Sequence, residues 1–151
     1  MSKKRLVLWI LVIITLGFIF GQSLIDQDTS EKQSTTIKTQ VVEPVHKAIT
    51  GEDAIRYNIR DAGHLVEFAI LGLELMLLIR SNRRILRWLK SISYCGLVAL
   101  IDETIQHFSG RAPQLIDIWH DILGAVVGSA IGLLIVVLTE RVKRTVVDER
   151  R

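Results

Sequence analysis

Residues 102–132 read DETIQHFSGRAPQLIDIWHDILGAVVGSAIG, and the fold turns on this stretch. It opens with two carboxylates, Asp102 and Glu103, at the end of an apolar run, turns through Gly110-Arg111-Ala112-Pro113, and re-enters apolar sequence carrying Asp117 and Asp121. Acids therefore stand on both sides of one turn, each set attached to sequence with the composition of a membrane helix. Ionisable side chains within a membrane are costly, and where they occur they face a protein interior or a wet cavity. The stretch predicts two helices that meet through polar faces, with the rest of the chain bringing further polar groups to the same place.

The flanking sequence supports a membrane setting. Of 151 residues 49% are hydrophobic, and they lie in blocks rather than in alternation. Residues 6–25 carry no charge, and about 20 helical residues rise about 30 Å, the thickness of a hydrocarbon core. Residues 122–139 form a second uncharged run. Two more stretches, 62–79 and 85–108, have the length of spans but are interrupted by charges. The expected fold class is all-α, an integral membrane four-helix bundle in a single domain over residues 1–151, with spans at about 6–25, 62–79, 89–108 and 117–139. Basic Lys3, Lys4 and Arg5 precede the first run as they would in a signal peptide, but GFIFGQSLID offers no small-residue cleavage site, so the first span is read as uncleaved.

Lysine and arginine set the orientation. They cluster before the first span, between the second and third at Arg80, Arg83, Arg84, Arg87 and Lys90, and after the fourth at Arg141, Lys143 and Arg144. Four spans place all of them on one side, which is cytoplasmic by the positive-inside rule, together with both termini. The opposite side then holds residues 26–61 and 109–116. The former starts as QDTSEKQSTTIKTQ, the composition of a mobile surface segment. Further on, Thr50 and Asp53 resemble a capping pattern for a short interfacial helix through Ala54, Ile55 and Ile59.

The net charge of +3 comes without a basic stripe interleaved with aromatics, which argues against a nucleic-acid partner. A lone Cys95 excludes an internal disulfide and a cysteine metal site, and it reads as a small buried apolar residue. In the third span only about 11 residues separate Lys90 from Asp102, a rise of about 16 Å, so charged groups must enter the membrane there.

Three helical faces collect the polar residues. Arg60, His64, Glu67, Leu71 and Glu74 follow steps of four and three, which align them on one face. Asp102, Glu103 and Gln106 fall within an arc of about 100°. Asp117 and Asp121 share a stripe with Gly124, Gly128 and Gly132, a small-xxx-small seam that admits a close neighbour. In the four-span topology all three faces meet in the outer leaflet, with Glu67, Glu103 and Asp121 at similar depth. Glu67 and Glu103 are the candidates for proton transfer, and Arg60, His64, Asp102, Gln106, Arg111, Asp117 and Asp121 for binding. Blander readings stand beside these: Asp117 as an N-cap, His64 and Glu67 as a hydrogen-bonded packing pair, Arg111 as a neutraliser of the acids. His107 and His120 lie off the acidic arcs and read as interfacial, Trp88 and Trp119 as interface anchors, and Glu74 as an interhelical hydrogen-bonding group or the inner end of a polar path. His-x-x-Glu is no zinc signature by itself, so neither a metal nor a cofactor is specified.

Taken together, RDAGHLVEFAILG, DETIQHFSGR and DIWHDILGAVVG resemble the VanZ-like family of small bacterial membrane proteins. The matching positions are Arg60, His64, Glu67, Phe68, Glu103, Gln106, Phe108, Gly110, Arg111, Asp117 and Gly124, and Gln22 and Ser23 resemble the polar end of the family's first span. Asp61 departs from the pattern where a Lys is common, and Asp121 where an Asn is usual, which makes this version more acidic. The resemblance implies a multi-pass protein of the bacterial cell membrane with a role in the cell envelope, because the namesake is associated with low-level teicoplanin resistance. The implied partners are membrane lipids and a lipid-linked envelope precursor or lipoglycopeptide, which the site either modifies or only binds. Proton- or cation-coupled transport, which would call for a homo-oligomer, and a purely structural role are the alternatives.

Overall fold

The structure is a computed structural model, and it describes residues 2–51, 59–111 and 115–148. These form α1 (Lys3–Ser23), α2 (Gln27–Ile37), a π-helical segment (Lys38–Val42), α3 (Glu43–Thr50), α4 (Ile59–Leu78), α5 (Arg84–Phe108) and α6 (Leu115–Asp148). The all-α expectation is met. The four-helix membrane bundle is not: among the described residues only Lys3–Ser23 and Ile116–Val146 are long and apolar enough to cross a membrane. Charge is the reason. Arg60, Asp61, Glu67 and Glu74 break up α4, while Arg84, Arg87 and Lys90 at one end of α5 and Asp102 and Glu103 at the other leave too short an apolar middle.

The segment after α1, expected to be mobile, is helical from Gln27 to Thr50. Asp26 supplies the start: its side chain accepts from the Thr29 backbone N–H at 3.0 Å, which satisfies one of the unpaired donors of the first turn. That bond also holds the Asp26 carboxyl below the usual carboxylate range. Pro44 sits in the first turn of α3, where its missing N–H costs nothing, and Gly51 ends the helix at a φ of 76°. The capping pattern at Asp53 and the short helix through Ala54 and Ile55 lie outside the described residues.

Gly110 stops α5. Its φ of 80° lets the Arg111 N–H return to the Gln106 carbonyl at 3.1 Å, a six-to-one closure that satisfies a terminal carbonyl and aims Arg111 back over the helix end. At the other end of the molecule Arg87 donates to the carbonyls of Met76 and Leu77 at 2.7 and 3.0 Å, capping the last turn of α4, and Arg84 pairs with Glu140 of α6.

α4 lies against α6 along the glycine seam. A Cβ added at Gly124 would strike the Leu65 carbonyl, one at Gly128 the Ala69 carbonyl, and one at Gly132 would lie 2.8 Å from Met76 Cβ. From the α4 side, a Cβ on Gly72 would lie 2.6 Å from the Ala125 carbonyl oxygen. Backbone thus meets backbone, the close approach that small residues permit in helix packing. Ser91 of α5 and Ser129 of α6 both donate to the Gly72 carbonyl, at 2.9 and 3.2 Å, and lie 2.9 Å from each other, which ties α5 into the same layer. Val12 and Ile19 of α1 complete the core with Phe68, Leu71, Cys95, Ala99 and Ala125. Because α4 and α6 both start where α1 and α5 finish, four helix ends meet at one end of the bundle.

Candidate functional site

That end holds two polar rungs. Arg60 to His64 on α4, Gln106 to Asp102 on α5 and Asp117 to Asp121 on α6 are each a step of four, about one helical turn or 6 Å along an axis. α5 runs opposite to the other two, so its later residue belongs with their earlier ones.

The outer rung is Arg60, Gln106 and Asp117. Arg60 Nη2 donates to Asp117 Oδ2 at 2.7 Å and to Gln106 Oε1 at 2.9 Å. The inner rung is His64, Asp102 and Asp121, with Ser23 joining from the end of α1. His64 Nδ1 lies 3.1 Å from Asp121 Oδ1 and 4.0 Å from Asp102 Oδ2, and Ser23 Oγ donates to Asp102 Oδ1. Gln106 links the levels by donating to Asp102 Oδ2 at 2.7 Å. Asp102, Gln106, Asp117 and Asp121 are each no more than 2% exposed. Carboxylates so deeply buried persist only where other groups hold them, and here Ser23 of α1, Arg60 and His64 of α4 and Gln106 of α5 supply the hydrogen bonds.

Of the residues singled out in the sequence, the structure brings together Arg60, His64, Asp102, Gln106, Asp117 and Asp121. Glu67 and Glu103, the two assigned proton transfer, stand outside the rungs. Glu67 lines the neighbouring cleft, and Glu103 is half-buried one residue beyond Asp102. Glu74 belongs elsewhere: it accepts a hydrogen bond from Thr15 of α1 at 3.1 Å. His107 makes a tilted ring contact with Phe108 and is exposed.

Arg111 is 6% exposed, and its guanidinium donates to Ser30 Oγ of α2. Among the described residues no carboxylate forms a salt bridge with it, and its Nε has no hydrogen-bond partner. Beside it opens a cleft of about 200 Å³ whose walls include Phe18, Ser23, Ser30, Arg60, His64 and Arg111. A second recess, polar and about 270 Å³, shares Ser30, Arg60 and Arg111 with the first. Two guanidiniums therefore stand between a partly apolar cleft and a hydrophilic one.

Sequence reading missed four contributors. Ser23, marked only by its resemblance to the polar end of the family's first span, was not counted among the candidate site residues, and Ser30 carries no signal beyond being polar, since helix α2 had not been expected. Asp61 and His120 had one: Asp117-x-x-His120 is a step of three, so both residues face the same neighbour, and Asp61 adjoins Arg60. Asp61, Asp117 and His120 each present a potential ligand atom, the three lying within 4.8 Å of one another, as do those of His64, Asp102 and Asp121.

These features define an all-α, membrane-associated protein with an arginine, carboxylate and histidine cluster buried at one end of its helices. The chain belongs to the VanZ/LLP1 family, whose sequence model matches residues 7–137. Searches of curated proteins and of solved structures return no match.

Proposed function

We propose that this protein binds the anionic headgroup of an amphiphile at the outer face of a bacterial cell membrane. Arg111 carries the reading. A cation 6% exposed, without a carboxylate in contact among the described residues and with an unpartnered Nε, is stabilised by an arriving anion. Arg60 lines the same cleft, and Phe18, Ile37 and Ile59 give its walls an apolar part that suits the root of an alkyl chain.

The two candidate spans support this side of the membrane. Basic residues precede α1 and follow the apolar part of α6, so the positive-inside rule puts those ends in the cytoplasm and the rungs at the opposite, outer surface. A lipid-linked envelope precursor or a lipoglycopeptide such as teicoplanin has the required combination of chain and anionic group. Binding suffices for this role, with the rungs holding Arg60 in place and Glu67 at the cleft wall as hydrogen-bonding group.

The test is expression in a teicoplanin-sensitive bacterium of the wild type and of Arg111→Gln at matched membrane abundance. Wild type is expected to lower both susceptibility and the surface binding of labelled teicoplanin, and Arg111→Gln to abolish both effects. Equal behaviour of the two proteins would remove Arg111 from the function. No effect of either would rule out teicoplanin and leave lipid-linked precursors to be tested by binding to the purified protein.

A further inference from the structure

We infer that Asp61, Asp117 and His120 form a binding site for one divalent transition-metal ion. Each offers one ligand atom, and the three atoms lie within 4.8 Å of one another, close enough to converge on one ion by small side-chain rotations. The second observation is unspent bonding capacity. Asp117 is 1% exposed, yet its Oδ1 has no hydrogen-bond partner, and the buried Nδ1 of His120 has none either. Unsatisfied buried polar atoms are uncommon and costly, and two of them in one cluster are suited to coordinating an electrophile.

The inner rung offers a contrast. Its atoms also lie within 4.8 Å of one another, but Asp102 already accepts from Ser23 and Gln106, and His64 is engaged with Asp121. An ion there would have to break bonds that exist. At Asp117 the existing bond runs from Arg60 to Oδ2, and Oδ1 has no hydrogen-bond partner, so one carboxylate oxygen remains for an ion without breaking that bond.

The donor set is one imidazole nitrogen and two carboxylate oxygens, which suits zinc or manganese better than a soft thiophilic ion. Three protein ligands leave at least one coordination position open to water or an anion. Asp61 and His120 are half-buried rather than sealed, which gives the ion a route from the surface. The site stands independently of the headgroup reading.

The experiment uses the full chain purified in detergent, stripped with a chelator and titrated with Co²⁺ as a spectroscopic probe. Expected are about one equivalent of saturable Co²⁺ with visible bands of a four- or five-coordinate ion, displaced by Zn²⁺. Asp61→Asn and His120→Gln should each weaken binding on the order of tenfold or more, and His64→Gln should leave it intact. Asp61→Lys, which removes a ligand and supplies a cation to Asp117, should abolish binding while helicity and elution stay those of the wild type. No saturable binding up to millimolar Co²⁺ would overturn the inference. So would binding unchanged in the Asp61 and His120 variants, or binding lost in His64→Gln and kept in His120→Gln, which places the ion in the inner rung.

Discussion

Arg60→Gln removes the charge that holds the outer rung together. Its partner Asp117 is 1% exposed and accepts from Arg60 at 2.7 Å, so the substitution leaves a buried carboxylate without its cation. Breaking a buried pair from one side costs about 3–5 kcal/mol, and because the Arg60 side chain is 19% exposed, water reaches the pair and the lower end applies, about 3 kcal/mol. For a chain of this size that corresponds to a fall in Tm of about 6–12 °C. The converse change, Asp117→Asn, leaves a guanidinium that still donates to Gln106 and still meets solvent, so it should cost less, about 1–2 kcal/mol. Combining the two replaces an ion pair by two neutral amides, and the double variant should be more stable than the sum of the single effects predicts by about 2 kcal/mol. Cys95 supplies the assay: it is fully buried, so a thiol-reactive fluorophore in detergent solution reports its exposure as the helices separate. Additive single effects, or an Arg60→Gln protein that melts with the wild type, would show that the outer rung contributes no coupling.

Three further outcomes can be checked on the same purified protein. Gly72→Ala would put a Cβ 2.6 Å from the Ala125 carbonyl oxygen where ordinary contact starts at 3.4 Å, so α4 and α6 must part by several tenths of an ångström at a cost of about 1–3 kcal/mol. Gly17→Ala meets nothing within 4 Å and should be neutral or stabilising by up to about 1 kcal/mol, so an equal loss of Tm in both would refute close packing as the cause. Asp26→Ala should speed amide hydrogen exchange through α2 without changing that of α6. Because the folded Asp26 carboxyl lies below its unfolded value, its capping contribution is present above the ordinary carboxylate range and is lost as pH falls through the folded pKa, so α2 of the wild type should come to exchange like the variant on acidification; α2 exchange insensitive to both changes would remove the cap. Arg111→Gln should leave the stability within about 1 kcal/mol of wild type, since it removes a buried cation with only Ser30 as its described side-chain hydrogen-bond partner; a large destabilisation would mean that the arginine is a structural strut instead.

Much of the site was legible because helical spacing is a property of sequence alone. Steps of four on three segments placed Arg60 with His64, Asp102 with Gln106 and Asp117 with Asp121 before any tertiary contact was known, and the seam at Gly124, Gly128 and Gly132 announced a close neighbour. What spacing could not give was register between helices. Asp102 and Glu103 are adjacent and differ by about 100° around the axis, so both looked equally able to join the cluster. The packing of α5 selects Asp102, which is buried against Ser23 of α1 and accepts from Gln106, while Glu103 is left half-buried. The four-span expectation failed for a related reason. Residues 62–79 and 85–108 have the length of spans, but the charges of α4 and α5 leave no window apolar enough to cross a membrane, and His64 and Asp102 among them meet α6 and α1 in the packed molecule. Helix α2 went unread because almost none of its residues is apolar and only the cap at Asp26 signals its start.

The seam and the rungs are one device. Asp117, Asp121, Gly124 and Gly128 follow steps of four, three and four along α6, so the face that carries the acids also carries the glycines. Bringing α4 backbone against α6 backbone at Leu65 and Ala69 is what sets His64 within hydrogen-bonding distance of Asp121 one turn further out. A helix with larger residues at those glycines would hold α4 away, and the acids of α6 would then need water where they now have Arg60 and His64. The polar cluster therefore depends on the most closely packed part of the molecule, while its open side, at Arg111 and the cleft, is built from α2, the end of α1 and the turn after α5. The two parts are suited to different tasks: the rungs to holding charges still, and the rim to meeting a charge that arrives.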